Sequence, residues 1–183
     1  MKNKIALLLI CICAISCKDA KTTTENADTT IVGNDFFELN INLTVQKDDN
    51  FHLYYTEDGS LSFNEESSIW QAAKGDASPQ NIKFQIPANV SPTALRLDLG
   101  YGSNQDQQAI DIHSIKISYF DQKLEMNGAE IFNYFYITPE SGKRSNAAAK
   151  VERITRTQIS GVIMYPNENL IQKLQEMKTK SGM

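Results

Sequence analysis

The chain has 183 residues, with 18 Lys and Arg against 22 Asp and Glu, a formal net charge of −4. No Lys- or Arg-rich block occurs, so a nucleic-acid backbone or a broad anionic lipid surface would not find the clustered positive charge it requires. No internal repeat is visible, and the length suits one domain with an adequate core.

Residues 1–4 (MKNK) carry two lysines, and the eleven residues 5–15 run apolar without a charge. A bilayer-spanning helix needs about 20 such residues, so this run fits the hydrophobic region of a secretory signal peptide instead. Ala14-Ile15-Ser16-Cys17 follows. This order of segments resembles the leader and lipobox of bacterial lipoproteins, with Ala14 departing from the family's usual Leu. In that family the cysteine thiol takes a diacylglyceryl group. Cleavage before the cysteine then frees an amine for a third acyl chain. The resemblance covers the first 17 residues and implies a membrane anchor through Cys17. Cysteine usage agrees with it. Cys11 and Cys13 leave with the leader, so Cys17 stands alone and cannot form an internal disulfide. Two or three acyl chains, at about 0.8 kcal/mol per buried CH₂, hold a protein firmly. An Asp directly after the cysteine favours retention in the inner membrane in this family. Here Lys18 comes first and Asp19 second, which implies a lipid-anchored protein of the outer membrane, facing the periplasm or the surface. Loss of the two leader lysines takes the net charge from −4 to −6.

Residues 17–34 are polar, Thr-rich and poor in large apolar side chains. Such a stretch cannot bury enough surface to offset its ordering entropy, and it reads as a flexible tether. The folded domain is expected over residues 35–166, with a helix and tail over 167–183.

Phe37, Leu39, Ile41, Leu43 and Val45 alternate with Glu38, Asn40, Asn42 and Thr44, a half-buried strand. Residues 47–50 turn, and residues 51–56 form a second strand with His52 and Tyr54 opposite Phe51, Leu53 and Tyr55. Asp58-Gly59 turns again. Residues 67–73, with the only Trp, form a strand, and residues 75–79 a loop. Ile82, Phe84 and Ile86 alternate up to Pro87, and Leu95, Leu97 and Leu99 alternate up to Gly100. Residues 100–108 are a polar loop. In residues 109–120 the apolar positions change parity between Ile112 and Ile115. A strand cannot change face without an extra residue, so a β-bulge is expected at His113-Ser114. Residues 122–128 are a turn or short strand, residues 131–137 are apolar and aromatic, and residues 141–150 form a loop with a helical turn over 147–150. Residues 155–165 are the last strand. Asn167 is a plausible N-cap for a helix with Leu170, Ile171, Leu174 and Met177 on one face. Roughly seven to nine strands with one short helix predict an all-β protein, a β-sandwich of jelly-roll type, with a barrel as the alternative.

Residues 51–75 (FHLYYTEDGSLSFNEESSIWQAAKG), with the later IKFQIP, LRLDLG and IDIHSIKISY, resemble an all-β module of bacterial envelope and polysaccharide-related proteins. It is a galactose-binding-like jelly roll. The likeness spans about 70 residues, and its motifs are structural, so it implies the fold more than an activity.

No nucleophile motif such as GxSxG and no paired-histidine zinc spacing is present, so an enzyme and a cofactor are not expected. His52 and His113 read as surface or packing residues. Glu57, Asp58, Glu65 and Glu66 are a candidate Ca²⁺ set, or paired glycosidase carboxylates, against the plain reading of a solvated loop. Asp98 and Asp106 flank the glycine loop with the same ambiguity. Aromatic side chains are the stronger hint. Tyr54, Trp70 and Tyr101 suit stacking on sugar rings, and a carboxylate such as Asp98 suits bonding to hydroxyls. Core packing is the competing role for Trp70. Two functions follow: a glycan-binding module, or an accessory lipoprotein that contacts an envelope protein. Lipidation makes the first checkable statement. Mass spectrometry of the mature N-terminus should find an acylated Cys17; a free amine on any other residue would refute it.

Overall fold

The computed structural model describes residues 36–101, 109–145, 149–154 and 159–182. The leader, Cys17 and the tether lie outside these residues, as do Asp106 and residues 147–148 of the expected helical turn. None of the described helices is long and apolar enough to cross a membrane.

Two antiparallel sheets form a β-sandwich. The first holds β1 (Glu38–Val45), β4 (Asp76–Gln85), β6 (Ile110–Tyr119), β7 (Gln122–Asn127), β9 (Gly142–Arg144) and β10 (Lys150–Arg153), in the order β4-β1-β6-β10-β9 with β7 also on β6. The second holds β2 (Asp49–Thr56), β3 (Ser68–Ala73), β5 (Ala94–Tyr101), β8 (Phe135–Ile137) and β11 (Ser160–Pro166), in the order β3-β2-β5-β11-β8. Alternation dictates the assembly. Leu39, Ile41 and Leu43 of the first sheet are fully buried, as are Phe51, Leu53, Leu95 and Leu97 of the second. Each such side chain contributes about 1.5–3 kcal/mol relative to exposure.

The helix α1 (Glu168–Lys180) starts where expected. Asn167 Oδ1 accepts from the backbone N–H of Asn169 at 3.0 Å and of Leu170 at 3.3 Å. Leu170, Leu174 and Met177 are buried, and the helix touches β5 and β11 of one sheet and β7 of the other. It therefore bridges the two sheets.

Two expected loops are strands. Residues 76–79 belong to β4, whose partner is β1 alone, so Pro79 sits on an edge strand where a missing N–H is tolerated. Within residues 141–150, Gly142–Arg144 and Lys150–Arg153 pair as β9 and β10. Residues 128–133 form a 3-10 turn, so only Phe135–Ile137 of the aromatic run is strand. The last strand is described over Ser160–Pro166, and residues 155–158 of its expected span lie outside the described residues.

The bulge is where the parity change requires it. Asn42 pairs with Ser114 and the next residue, Leu43, pairs with Ile112, leaving His113 out of the register. Ile110, Ile112, Ile115 and Ile117 are all buried as a result. His113 is exposed, with Nε2 2.9 Å from Thr44 Oγ1. Ile112→Ala and Ile115→Ala should therefore each cost about 2–5 kcal/mol in urea denaturation. A cost for Ile112 within the surface range of about 0.5 kcal/mol would mean that only one side of the bulge faces the core.

Candidate functional site

The outward faces of the two sheets differ in chemistry. That of the first sheet is polar: Lys83 pairs with Glu38, Lys116 with Glu125 at 3.1 Å, and Asn42 bonds Asn81 at 2.9 Å. That of the second sheet is aromatic. Period two sends His52 and Tyr54 of β2, Trp70 of β3 and Arg96 and Asp98 of β5 to this side, because Phe51, Leu53, Tyr55, Leu95, Leu97 and Leu99 fill the core. Register then sets them side by side. Trp70 and Asp98 both pair with His52, and Arg96 pairs with Tyr54.

His52 is the floor of this face. Its ring lies 3.7 Å from that of Trp70, stacked at 22°, and 3.9 Å from that of Tyr54, centroid to centroid. The two rings leave His52 only 1% exposed, while Trp70 remains 41% exposed. Above them sits Glu65, carried in by the loop between β2 and β3. A 3-10 turn, Glu65–Ser67, fixes it locally: Asn64 Oδ1 accepts from Ser67 N–H at 3.1 Å, and Ser68 Oγ donates to the Glu65 carbonyl at 2.6 Å. The carboxylate accepts from Trp70 Nε1 at 2.9 Å and from the Tyr54 hydroxyl at 3.1 Å. His52 Nε2 is 3.7 Å from Glu65 Oε1, too far for a hydrogen bond, and has no other partner.

Electrostatics follow the geometry. The hydrogen bond from Trp70 holds Glu65 below the usual carboxylate range, with Tyr54 and His52 adding to it against partial burial. Burial, together with the hydrogen bond to Glu65, pushes the Tyr54 phenol up to about 12. Burial lowers His52, with Arg96 adding and Glu65 opposing. Burial raises Asp98 against the pull of Arg96.

Arg96 occupies the centre. Its guanidinium lies 4.7 Å from the Tyr54 ring centroid and 5.3 Å from that of Tyr165, and it donates two hydrogen bonds to the Asp98 carboxylate. Tyr165 stacks in turn on Tyr136 of β8, centroids 5.9 Å apart at 23°. Phe63 packs edge-on against Tyr165 from the same loop that carries Glu65.

Tyr101 stands at the other margin, 54% exposed, with its ring edge-on to Trp70 at 5.1 Å. Asp49 positions it: the buried Asp49 Oδ1 accepts from Tyr101 N–H at 2.9 Å, and Oδ2 lies 3.6 Å from Arg153 of the other sheet. Gly100 makes room. Its φ is +98°, and a Cβ there would lie 2.7 Å from Arg153 Nη2 and 2.8 Å from Asp49 Oδ2. Beside Tyr101 a polar depression of about 290 Å³ is lined by Asp48, Asn50, Ala72 and Lys74.

All four sequence-derived ligand candidates, Tyr54, Trp70, Tyr101 and Asp98, therefore lie on this one face. The acidic set does not act together. Glu65 serves Trp70 and Tyr54, Glu57 accepts from Ser91 N–H at 3.0 Å, Asp58 accepts from Ser60 N–H at 2.9 Å, and Glu66 is exposed. No group of three or more His, Cys, Asp or Glu suited to a metal occurs among the described residues. Sequence reasoning did not place Arg96, Tyr165, Tyr136 and Phe63 here. Their outward parity was a signal for Arg96 and Tyr165; their neighbours depend on strand pairing.

The cluster makes stability pH-dependent. An unfolded histidine binds its proton near pH 6.5. Folded His52 resists protonation until lower pH, so the unfolded state holds more protons in that window and stability falls as pH drops below about 6.5. The depressed Glu65 adds a loss in the same direction at lower pH, below 4.5, and the raised Asp98 acts oppositely. The urea midpoint should fall between pH 7.5 and 5.5, and the fall should shrink in His52→Phe. An identical pH slope in the variant would show that His52 stays equally protonatable in both states.

Comparison with protein-family models gave no match, and neither did comparison with curated proteins or with solved structures. The functional reading accordingly stands on the geometry of this face.

Proposed function

We propose that the protein is a glycan-binding module whose ligand lies on the outward face of the β3-β2-β5-β11-β8 sheet, in a chain held at the outer membrane by lipid on Cys17. One observation carries this: Trp70, Tyr101 and Tyr136, all exposed, belong to one aromatic platform with carboxylates fixed beside it. Solvated sheet faces do not normally gather large apolar rings; contiguous exposed apolar surface marks binding. Pyranose rings present C–H faces that stack on Trp and Tyr, and hydroxyls that bond carboxylate and carboxamide groups. The Trp70 N–H and Tyr54 O–H are already engaged by Glu65, which locks both side chains before the ligand arrives; the free stacking surface here is the part of Trp70 turned away from His52.

Binding without cleavage fits the chemistry. The Asp98 carboxylate accepts from Nε and Nη2 of Arg96, one on each oxygen, so it is not free to shuttle a proton. The second reading is a protein partner, favoured by the presence of Trp, Tyr and Arg, the residue types that anchor protein interfaces.

Retention on immobilised polysaccharides separates the two. Wild-type protein should be retained, and Trp70→Ala and Tyr101→Ala should each weaken retention at least tenfold, about 1.4 kcal/mol, while melting cooperatively. Retention unchanged in both variants would remove the platform from the binding site, and no retention of the wild type would favour a protein partner.

A further inference from the structure

Resting on the glycan reading, we propose that the ligand is an acidic oligosaccharide, oriented with an anionic substituent at the β8–β9 end and uncharged sugar rings stacked toward Trp70. The platform is directional. From Trp70 it runs through His52, Tyr54, Arg96 and Tyr165 to Tyr136, each touching the next, and so crosses all strands of the five-stranded sheet. Five strands set four intervals apart by about 4.8 Å give a track of about 19 Å, which suits an oligosaccharide rather than a single sugar.

With ion-paired groups set aside, among the described residues one carboxylate remains at the first end and one guanidinium at the other. At the Trp70 end, Asp98 is neutralised by Arg96 and Asp48 by Lys74 at 2.7 Å. Glu65 is different: its neighbours are the uncharged Trp70 and Tyr54, and His52, whose protonation burial disfavours. Among the described residues this carboxylate has no Lys or Arg partner, and it repels an anion.

At the other end, Tyr136 is also a wall of a depression of about 410 Å³ shared with Phe132, Pro139, Lys143 and Arg144. Arg144 is exposed, and its guanidinium lies 4.6 Å from the Phe132 ring centroid. Among the described residues no carboxylate pairs with it. Contact with the Phe132 ring positions the guanidinium while its N–H groups remain able to receive a carboxylate or a sulfate ester in bidentate fashion. Lys143 lies beside it with Nζ 3.1 Å from Glu152; both side chains are at least half exposed, and such a surface pair yields readily to a better partner. A chain that is acidic overall thus presents cationic groups at the end of its aromatic track, where a bound glycan would terminate or carry its charge.

Matched probes test this at physiological salt: polygalacturonate against its methyl ester, and a sulfated galactan against its desulfated form. The acidic member of a pair should bind about ten- to a hundredfold more tightly, the range expected for a charge-assisted contact. Arg144→Gln should abolish that preference while leaving affinity for the neutral member and the melting temperature unchanged; Lys143→Gln should reduce it in part. The pair that shows the preference tells carboxylate from sulfate. Equal binding of acidic and neutral members, or a preference untouched by Arg144→Gln, would overturn the proposal and leave the glycan reading standing. Failure to bind any member would overturn both.

Discussion

Side chains of a strand alternate between two faces, and most of the site follows from where that alternation sends them; Tyr101, of core parity, reaches it past the positive-φ Gly100, and Glu65 and Phe63 come from a loop. The sandwich has one core, filled by Leu39, Ile41, Phe51, Leu53, Leu95, Leu97, Ile115 and their neighbours. Once those positions are committed inward, their sequence neighbours must face out. On the first sheet the outward set includes Glu38, Asn40, Lys83 and Lys116, of which Lys83 pairs with Glu38 and Lys116 with Glu125. On the second it is His52, Tyr54, Trp70, Arg96 and Tyr165, and these satisfy one another. A slip of one residue in β2 would exchange Phe51, Leu53 and Tyr55 for His52 and Tyr54 and destroy core and platform together. The need for a dry core therefore fixes the site.

A single carboxylate completes the platform. Glu65 comes from a loop, and without it Trp70 Nε1 and the Tyr54 hydroxyl would each lose their protein acceptor. The same group explains the tolerance for a buried histidine. Burial beside two rings disfavours the charged imidazole, and the nearby Glu65 carboxylate opposes that effect without forming a hydrogen bond. Two cross-braces hold the margins. Asp49 and Arg153 tie the two sheets together beneath Tyr101, and Arg96 joins Tyr54 to Tyr165 across the centre. Such prior fixing reduces the side-chain ordering that binding would otherwise require.

Much of this was legible before the structure. Parity alone placed the bulge at His113-Ser114, where the register skips His113, gave the strands around Ile41, Leu53 and Leu97, and set Tyr54 opposite the core. Asn167 announced its helix by residue type. Long-range partnership was not legible. Nothing local says that β2 lies between β3 and β5, so the approach of Arg96 to Tyr54, or of Tyr165 to Tyr136, had no signature. Glu65 looked like one member of an acidic loop because its partners, Tyr54 and Trp70, become its neighbours only when the loop folds back. Residues 76–79 looked like loop because Pro79 argues against a strand, and only the edge position of β4 admits it. The lipid anchor rests on the leader sequence, outside the described residues.

Trp70 is the only tryptophan of the chain and lies at the heart of the platform, so its fluorescence reports on this face alone. Titration with oligosaccharide fragments should produce a saturable change in emission, and acrylamide quenching should fall as the fragments cover the ring. If calorimetry shows the same fragments binding while emission and quenching stay unchanged, the ligand lies elsewhere on the protein and the platform is not its binding site.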